Sequence, residues 1–208
     1  MRKITNPIKQ MIIILCFIIS GFAYTNLFAA IQNPVTMLQQ ITQKMTGQLN
    51  ANMNNLNSDT LYKIIHSTIM PYADTRIMGG LVLGRKYWTS ATSQQKQQFI
   101  KYFSYLVIDT YVGALKTYTP NDKIHFRPLR ENFANKSRIV VSSVIRRSNG
   151  QNIQIQYYLH HMGNTWKFYD FSIDNISLVQ SYNQQFQSTL QQGGLKLLLT
   201  KLKSRTNK

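Results

Sequence analysis

Two aspartates near the end of a predicted strand are the first candidates for acid–base chemistry. Asp170 and Asp174 are four residues apart, which in an extended strand separates them by about 13 Å. That distance is too long for two carboxylates to cooperate directly, as they do in glycosidases, unless the chain bends. Turn formation by Asp174 beside Asn175, and pairing of Asp170 with a cation or a backbone donor, explain these residues better. The aspartates therefore do not predict an active site.

The histidines and glycines offer no stronger chemical signal. Four histidines occur in the chain, namely His66, His125, His160 and His161. They lack the spacing of helical zinc motifs, and the adjacent His160 and His161 point to opposite faces of a predicted strand. Gly79-Gly80 and Gly193-Gly194 lack the flanking residues of phosphate-binding or dinucleotide-binding loops. We expect no metal site, no cofactor and no catalytic activity, and an enzyme that uses a cavity for acid–base work remains a minor alternative.

The first thirty residues have the pattern of a secretory signal peptide. Arg2, Lys3 and Lys9 precede an apolar run from Met11 to Ile19, and small residues for cleavage follow at Ala29 and Ala30. The apolar run is too short to span a bilayer. We predict a signal peptide over residues 1–30 and a single domain over residues 31–208, with a retained amino-terminal anchor as the alternative. Cys16, the only cysteine, would leave with the signal, so the mature domain would form no disulfide.

The charge of the chain suggests an anionic partner. The sequence has 24 Lys and Arg against 7 Asp and Glu, a formal charge of +17, and loss of the signal would leave 21 against 7, or +14. Such a charge suits nucleic acid, a phospholipid surface or an acidic protein. An exported, cysteine-free domain is a poor candidate for a nucleic-acid binder. We therefore place the mature protein in the periplasm, or outside the cell, without nucleic acid as a partner.

The elements that must position any site form an α+β pattern. Helical periodicity runs from Pro34 to about Leu115, and it returns after the strands over Ser177 to Gln191 and Leu195 to Leu202. Between these regions the period changes to two in four segments: Lys123 to Phe126, Arg138 to Arg147, Asn152 to His161 and Thr165 to Ile173. We predict helices packed on one face of a curved antiparallel sheet of about four strands, an arrangement that can enclose an apolar cavity.

Two blocks of sequence contain motifs that can be compared with known protein families. The first block comprises Pro71-Tyr72-Ala73-Asp74, Gly79, Leu83-Gly84, Tyr87-Trp88, Thr92-Ser93-Gln94-Gln95, Phe99, Phe103 and Tyr111. The second block comprises Trp166 to Asp170, Ile173, Ile176 to Val179, Tyr182, Phe186, Gly194 and Leu198. In this order, and behind a signal sequence, the two blocks resemble the MlaC family of periplasmic phospholipid-binding proteins, the toluene-tolerance auxiliary components of ABC transporters. The resemblance covers nearly all of the predicted mature chain.

The resemblance implies a non-enzymatic carrier. It would shuttle phospholipid between an outer-membrane lipoprotein–porin complex and an inner-membrane ABC transporter with its substrate-binding subunit, and so maintain outer-membrane lipid asymmetry. Phospholipid would be its bound ligand, and a monomer is the simplest state for such a shuttle. The alternative is a basic periplasmic module that docks on anionic membranes or partners without a lipid cavity.

The expected lipid site is an apolar cavity between the sheet and the long helices. The predicted lining residues, each of which also suits an ordinary core position, are Ile77, Leu81, Phe103, Val107, Tyr111, Val141, Ile155, Tyr157, Leu159, Phe168 and Val179. The candidates for headgroup or partner contact, each of which also suits a solvated surface, are Arg76, Arg85, Lys86, Arg146 and Arg147. We expect Asp74, Trp88, Trp166 and Asp170 to hold the fold by capping, packing and hydrogen bonding.

Overall fold

The computed structural model describes residues 31–130 and 132–206, in which five helices pack with one open sheet. The helices are α1 (Pro34–Ala51), α2 (Ser58–Thr68), α3 (Thr75–Ser90), α4 (Ser93–Lys116) and α5 (Leu178–Thr206). Short 3-10 turns at Met53–Asn55 and Met70–Tyr72 follow α1 and α2. The predicted signal peptide lies outside the described residues, and Ile31–Lys208 forms one compact unit.

The sheet is an antiparallel meander in which each strand pairs with its neighbour in sequence. Its strands are β1 (Lys123–Phe126), β2 (Arg138–Arg146), β3 (Asn152–Met162), β4 (Thr165–Ile173) and β5 (Ile176–Ser177). The α+β prediction is confirmed, and the four predicted strands match β1 to β4. The structure adds β5, whose two residues are too few to produce a periodic signal.

A β-bulge changes which residues of β4 face the helices. The register shifts so that Leu159 pairs with Phe168 whereas Tyr157 pairs with Phe171, which leaves Tyr169 as the extra residue. Because Leu159 and Tyr157 share one face of β3, Phe168 and Phe171 share that face although they are three residues apart. Two large aromatic side chains of β4 therefore reach the same interior layer.

Side-chain caps set where the helices begin. Asn33 accepts hydrogen bonds from the backbone N–H groups of Val35 and Thr36 at the start of α1. Thr92 and Gln95 form a reciprocal capping box at the start of α4. At α2 the cap is Asn57, the residue before Ser58, and its side chain accepts a hydrogen bond from the backbone N–H of Thr60. These caps fix α1 and α4, the helices that bracket the amino-terminal half.

Glycines bend the two helices that lie beside each other. Gly84 has a φ of +74° within α3, and the amide of Asn183 on α5 donates to the Val82 carbonyl oxygen at 2.8 Å. That bond satisfies a carbonyl at the break in the helix. Gly80 approaches the Trp88 indole closely, since a Cβ there would lie 3.3 Å from the ring. Helix α5 breaks in the same way at Gly193 and Gly194.

Two hydrophobic clusters hold the fold together. The larger one lies between the sheet and helices α1, α3, α4 and α5. The smaller one joins α1, α2 and α4 through Leu49, Leu61, Ile64, Ile65, Ile108 and Val112. Within residues 31–130 and 132–206, none of the helices is both long and apolar enough to cross a bilayer.

Candidate functional site

The inner face of the sheet packs against α4 and α5 in what we call the helix–sheet layer. Val141 on β2 and Leu159 on β3 have no exposed surface, and Phe168 on β4 is buried beside them. Most of the predicted lining residues lie in this layer: Phe103, Val107, Tyr111, Val141, Tyr157, Leu159, Phe168 and Val179. The sequence therefore located the side chains that the sheet and the two long helices bring together.

Three predicted lining residues do not belong to this cluster. Leu81 is corrected most clearly, because its side chain is 46% exposed on α3. Its neighbours Met78 and Val82 are the buried residues of that helix, so Leu81 is rotated away from the core. Ile77 and Ile155 are half-buried, and neither packs against the buried core of the layer.

One part of the layer, which we call the closed part, is filled by stacked and edge-on rings. Phe99 and Phe103 on α4 stack with ring centroids 5.5 Å apart, and Phe186 and Tyr182 on α5 pack edge-on against Phe103. Trp166 on β4 has no exposed surface, and its indole N–H donates to the Gln32 carbonyl oxygen at 3.0 Å. Rings of this size contribute large buried areas, so the closed part is a stabilising core.

A second part of the layer, which we call the aromatic row, is only half-buried. It comprises Phe126 on β1, Tyr157 on β3, Phe171 on β4 and Tyr111 on α4. The rings of Phe126 and Tyr157 lie 5.9 Å apart, Tyr157 pairs directly with Phe171, and the rings of Phe171 and Tyr111 lie 5.7 Å apart. The row therefore connects β1, the first strand of the sheet, to helix α4. Phe126 and Phe171 were missed from sequence, and the bulge explains why alternation hid Phe171.

Two hydroxyl groups meet beside the aromatic row. Ser143 on β2 is 1% exposed, and its Oγ donates to the Tyr157 hydroxyl oxygen at 3.4 Å. Burial raises the pKa of Tyr157, and the hydrogen bond from Ser143 opposes that rise only in part. Burial also raises the pKa of Tyr111, with further contributions from Tyr182 and Asp170. Both phenols therefore stay protonated and neutral in the layer.

Of the predicted headgroup residues, Arg147 has a structural role instead. Its guanidinium donates to the Thr117 carbonyl oxygen at 2.7 Å and lies 3.3 Å from the Asp122 carboxylate. We call Arg147, Asp122 and Thr117 the latch, because they tie the β2–β3 turn to the end of α4. Burial alone would raise the pKa of Asp122, but hydrogen bonds from Ser148 and Thr119, together with Arg147, lower it. Arg76, Arg85, Lys86 and Arg146 are exposed, as a contact surface requires.

Asp170 caps a helix, as expected. Its carboxylate accepts from the Ser177 hydroxyl at 2.6 Å and from the backbone N–H of Val179 at 3.0 Å, at the start of α5. Burial raises the pKa of Asp170, and the hydrogen bonds oppose that rise. Asp174 instead accepts from the N–H of Gln154 in a turn with positive φ. The two aspartates therefore have separate structural roles.

Asp74 likewise joins several elements. It caps α3 by accepting from the N–H of Ile77 at 2.9 Å, and its own N–H donates to the Phe168 carbonyl oxygen. Its second carboxylate oxygen lies 2.9 Å from Nε2 of His160, a contact that the sequence did not indicate. In the described part of the chain, no three His, Cys, Asp or Glu side chains are grouped as a metal site requires.

Two surface clefts lie away from the aromatic row. One of about 280 Å³ is lined by residues that include Gly84, Arg85 and Lys86 of α3, and another of about 190 Å³ lies along α5 between Gln185 and Arg205. Both are smaller than the roughly 300–1,000 Å³ of typical ligand pockets. Neither cleft is lined by a residue of the aromatic row.

Comparisons with known proteins identify relatives over nearly the whole chain. A family model described as MlaC protein matches residues 39–204. The intermembrane phospholipid transport system binding protein MlaC of Haemophilus influenzae is 27% identical over 200 residues, which are 94% of this chain and 92% of that protein. A toluene tolerance protein of Pseudomonas putida is 26% identical over 174 residues, covering 83% of this chain and 80% of its own.

A solved structure has the same fold. It is a phospholipid-binding protein from Ralstonia solanacearum in complex with a phospholipid, and it superimposes with a TM-score of 0.76 at 26% identity. The match covers 84% of this chain and 97% of the other.

Proposed function

This chain belongs to the MlaC family, and we propose that it is a phospholipid carrier that holds acyl chains in the helix–sheet layer. The observation that carries the proposal is the layer itself, in which apolar residues of the sheet face apolar residues of α4 and α5. A relative with the same fold binds phospholipid. The proposed role is binding and transport, without catalysis.

The energetics explain why a carrier needs such a layer. Transfer of an acyl chain from water to an apolar environment is worth about 0.8 kcal/mol for each CH₂, so two chains of ordinary length represent on the order of 20 kcal/mol. A carrier must therefore surround most of both chains. Side chains already fill the layer around Val141 and Leu159, so lipid uptake requires the sheet and the helices to move apart.

The finer assignment follows from the family and from charge. We propose that the mature protein works in the periplasm as a monomer, between an outer-membrane lipoprotein–porin complex and an inner-membrane ABC transporter with its substrate-binding subunit. The exposed Arg76, Arg85, Lys86 and Arg146 would then contact lipid headgroups or acidic surfaces of these partners. This surface attraction would speed encounter, whereas the apolar layer would supply most of the lipid affinity.

Lipid extraction tests the proposal directly. Protein purified after expression of the full chain is extracted with organic solvent, and phospholipid is quantified by mass spectrometry. We expect phospholipid in a constant molar ratio to protein, and delipidated protein should take it up again from vesicles. Protein that carries none and acquires none would overturn the carrier. Salt-sensitive vesicle binding without stoichiometric lipid would support the basic docking module instead.

A pair of matched variants locates the site. Val107→Trp places a bulky side chain at a half-buried position of the layer, and Leu81→Trp places the same side chain on the exposed side of α3. We expect Val107→Trp to reduce the recovered lipid severalfold while Leu81→Trp leaves it unchanged. Circular dichroism confirms that both variants fold. Equal lipid recovery from the two variants would place the site elsewhere.

A further inference from the structure

The hydroxyl pair beside the aromatic row differs from the other polar groups inside the layer. Ser143 is almost completely buried, and the ring of Tyr157 is flanked by Phe126 and by the paired residue Phe171. By contrast, the hydroxyl groups of Tyr182 and Thr110 lie 2.9 Å apart, and Thr110 also donates to the Leu106 carbonyl oxygen. Tyr182 is thus fully integrated into a helix–helix contact.

The hydrogen bond between Ser143 and Tyr157 is long and leaves one proton unused. Its length of 3.4 Å compares with about 2.7–2.8 Å for a typical O–H···O bond. Ser143 is the donor, so the Tyr157 oxygen accepts, and the phenolic proton of Tyr157 has no acceptor within residues 31–130 and 132–206. Buried hydroxyl groups normally have a partner, and an unpaired donor disfavours the folded state.

The unused donor is available throughout the physiological range of pH. Burial raises the pKa of Tyr157, so the phenol keeps its proton when the layer is apolar. A neutral phenol in such surroundings favours a neutral acceptor, because a charged phosphate would have to lose its hydration to reach it. The suitable acceptor is a carbonyl oxygen on an otherwise apolar molecule.

The position of Tyr157 matches that chemistry. It lies in the half-buried aromatic row, and its partner on the neighbouring strand, Val141, is fully buried. A phospholipid has the same gradient, since its chains are apolar, its headgroup is charged and its ester carbonyls lie between them. Chains in the buried part of the layer would bring an ester carbonyl to the depth of Tyr157.

We propose that the Tyr157 hydroxyl, held in place by Ser143, donates a hydrogen bond to an acyl ester carbonyl of the bound lipid and thereby selects ester-linked over ether-linked lipids. This inference rests on the proposed carrier function, and it names the polar contact within the apolar site. Ether-linked chains have the same length and apolar surface but no carbonyl oxygen. Binding them would leave the Tyr157 proton without a partner, which is an effective basis for discrimination.

The test is a competition between two lipids that differ only in this linkage. Delipidated protein is incubated with vesicles that contain equal amounts of diacyl and dialkyl phosphatidylglycerol of the same chain length, and bound lipid is quantified by mass spectrometry. One hydrogen bond corresponds to a preference of about two- to tenfold, so we expect wild-type protein to favour the diacyl lipid within that range. Tyr157→Phe should lower the ratio to near one, and Ser143→Ala should lower it by less.

The control is Tyr182→Phe, which removes a hydroxyl from the closed part, outside the aromatic row, at a position where it is already paired. We expect this variant to keep the wild-type ratio. Dividing each variant's ratio by the wild-type ratio cancels any difference in how readily the two lipids leave the vesicle. If Tyr157→Phe does not fold, the ratio measured for Ser143→Ala decides the question.

The outcomes separate the two proposals. Absence of any lipid uptake by wild-type protein overturns the carrier function itself. Uptake of both lipids, with a ratio that does not change in Tyr157→Phe or Ser143→Ala, leaves the carrier intact and overturns the ester contact. An equal fall of the ratio in Tyr182→Phe would also overturn it, because the effect would then reflect general loosening of the layer.

Discussion

The closed part and the aromatic row of the helix–sheet layer use the same kinds of side chain to different effect. In the closed part the rings of Phe99, Phe103 and Phe186 are fully buried against one another. In the aromatic row, Phe126 and Tyr157 remain half-buried. An apolar side chain contributes stability in proportion to the surface it removes from water. The closed part therefore contributes more to stability, and the aromatic row keeps more of its apolar surface exposed, as the proposed lipid site requires.

The hydrogen bonds of buried polar groups are also shorter in the closed part than in the aromatic row. The Trp166 indole and the Tyr182 hydroxyl have partners at 3.0 and 2.9 Å. The Tyr157 hydroxyl accepts only a long bond from Ser143. A carrier that must bind and release its cargo needs one rigid region and one whose interactions are incomplete until the ligand arrives.

The largest expected effect is on the stability of the closed part. Trp166→Ala should lower the free energy of unfolding by about 3–5 kcal/mol, because it removes a fully buried ring and leaves a cavity. Phe126→Ala in the aromatic row should cost less, because its ring is partly exposed and its removal leaves a less enclosed cavity. Chemical denaturation measures both. Equal losses would contradict the division of the layer.

An intermediate effect concerns the latch, which fastens the sheet to the end of α4 beyond the aromatic row. Asp122→Asn should cost about 1–2 kcal/mol near neutral pH, because it weakens charge-assisted hydrogen bonds that solvent screens in part. The lowered pKa of Asp122 means that this stability is present above its ordinary pKa and is lost as the pH falls through the lower folded value.

Denaturation of wild type and Asp122→Asn at several pH values checks this expectation. The difference between them should shrink below about pH 4, where carboxylates begin to take up protons. Hydrogen exchange adds a spatial check, since faster exchange should appear in β1 and the β2–β3 turn while β4 stays protected. A difference that persists unchanged into acid would show that the carboxylate charge is not responsible.

The smallest effect compares two tyrosines by stability alone. Tyr182→Phe should cost about 1 kcal/mol, because it breaks a good hydrogen bond to Thr110. Tyr157→Phe should be close to neutral, because its hydroxyl contributes little in the absence of lipid and removing it also removes an unpaired donor. Thermal denaturation of delipidated protein distinguishes the two. A larger loss for Tyr157→Phe would mean that its hydroxyl already has a strong partner.

Much of the fold, and part of the helix–sheet layer, could be predicted from sequence. Periodicity located the strands β1 to β4, and apolar stripes on the helices and the sheet identified Phe103, Val141 and Leu159 as interior residues. These features depend only on spacing along a regular element, so a single sequence contains them. The cap at Thr92 could be predicted for the same reason, because capping by a residue at the helix start is local.

The rest depended on contacts that are distant in sequence. The bulge at Tyr169 reverses the alternation of β4, so Phe171 could not be assigned to the inner face from its spacing. Arg147 has the charge expected of a headgroup ligand. Its guanidinium is instead bound by the latch residues Thr117 and Asp122, which lie about thirty residues earlier in the chain. Ser143 is the exception, since its alternation with Val141 indicated an interior hydroxyl that sequence reasoning overlooked.

The order of the strands has a kinetic consequence. Because every strand of the meander pairs with its neighbour in the chain, the sheet can assemble by successive hairpin formation with short loops to close. The hydrogen bond from Trp166 to Gln32 instead spans 134 residues, and closing a long loop has a greater entropic cost. We expect the sheet to form early and the docking of the amino-terminal segment onto β4 to be among the last steps of folding.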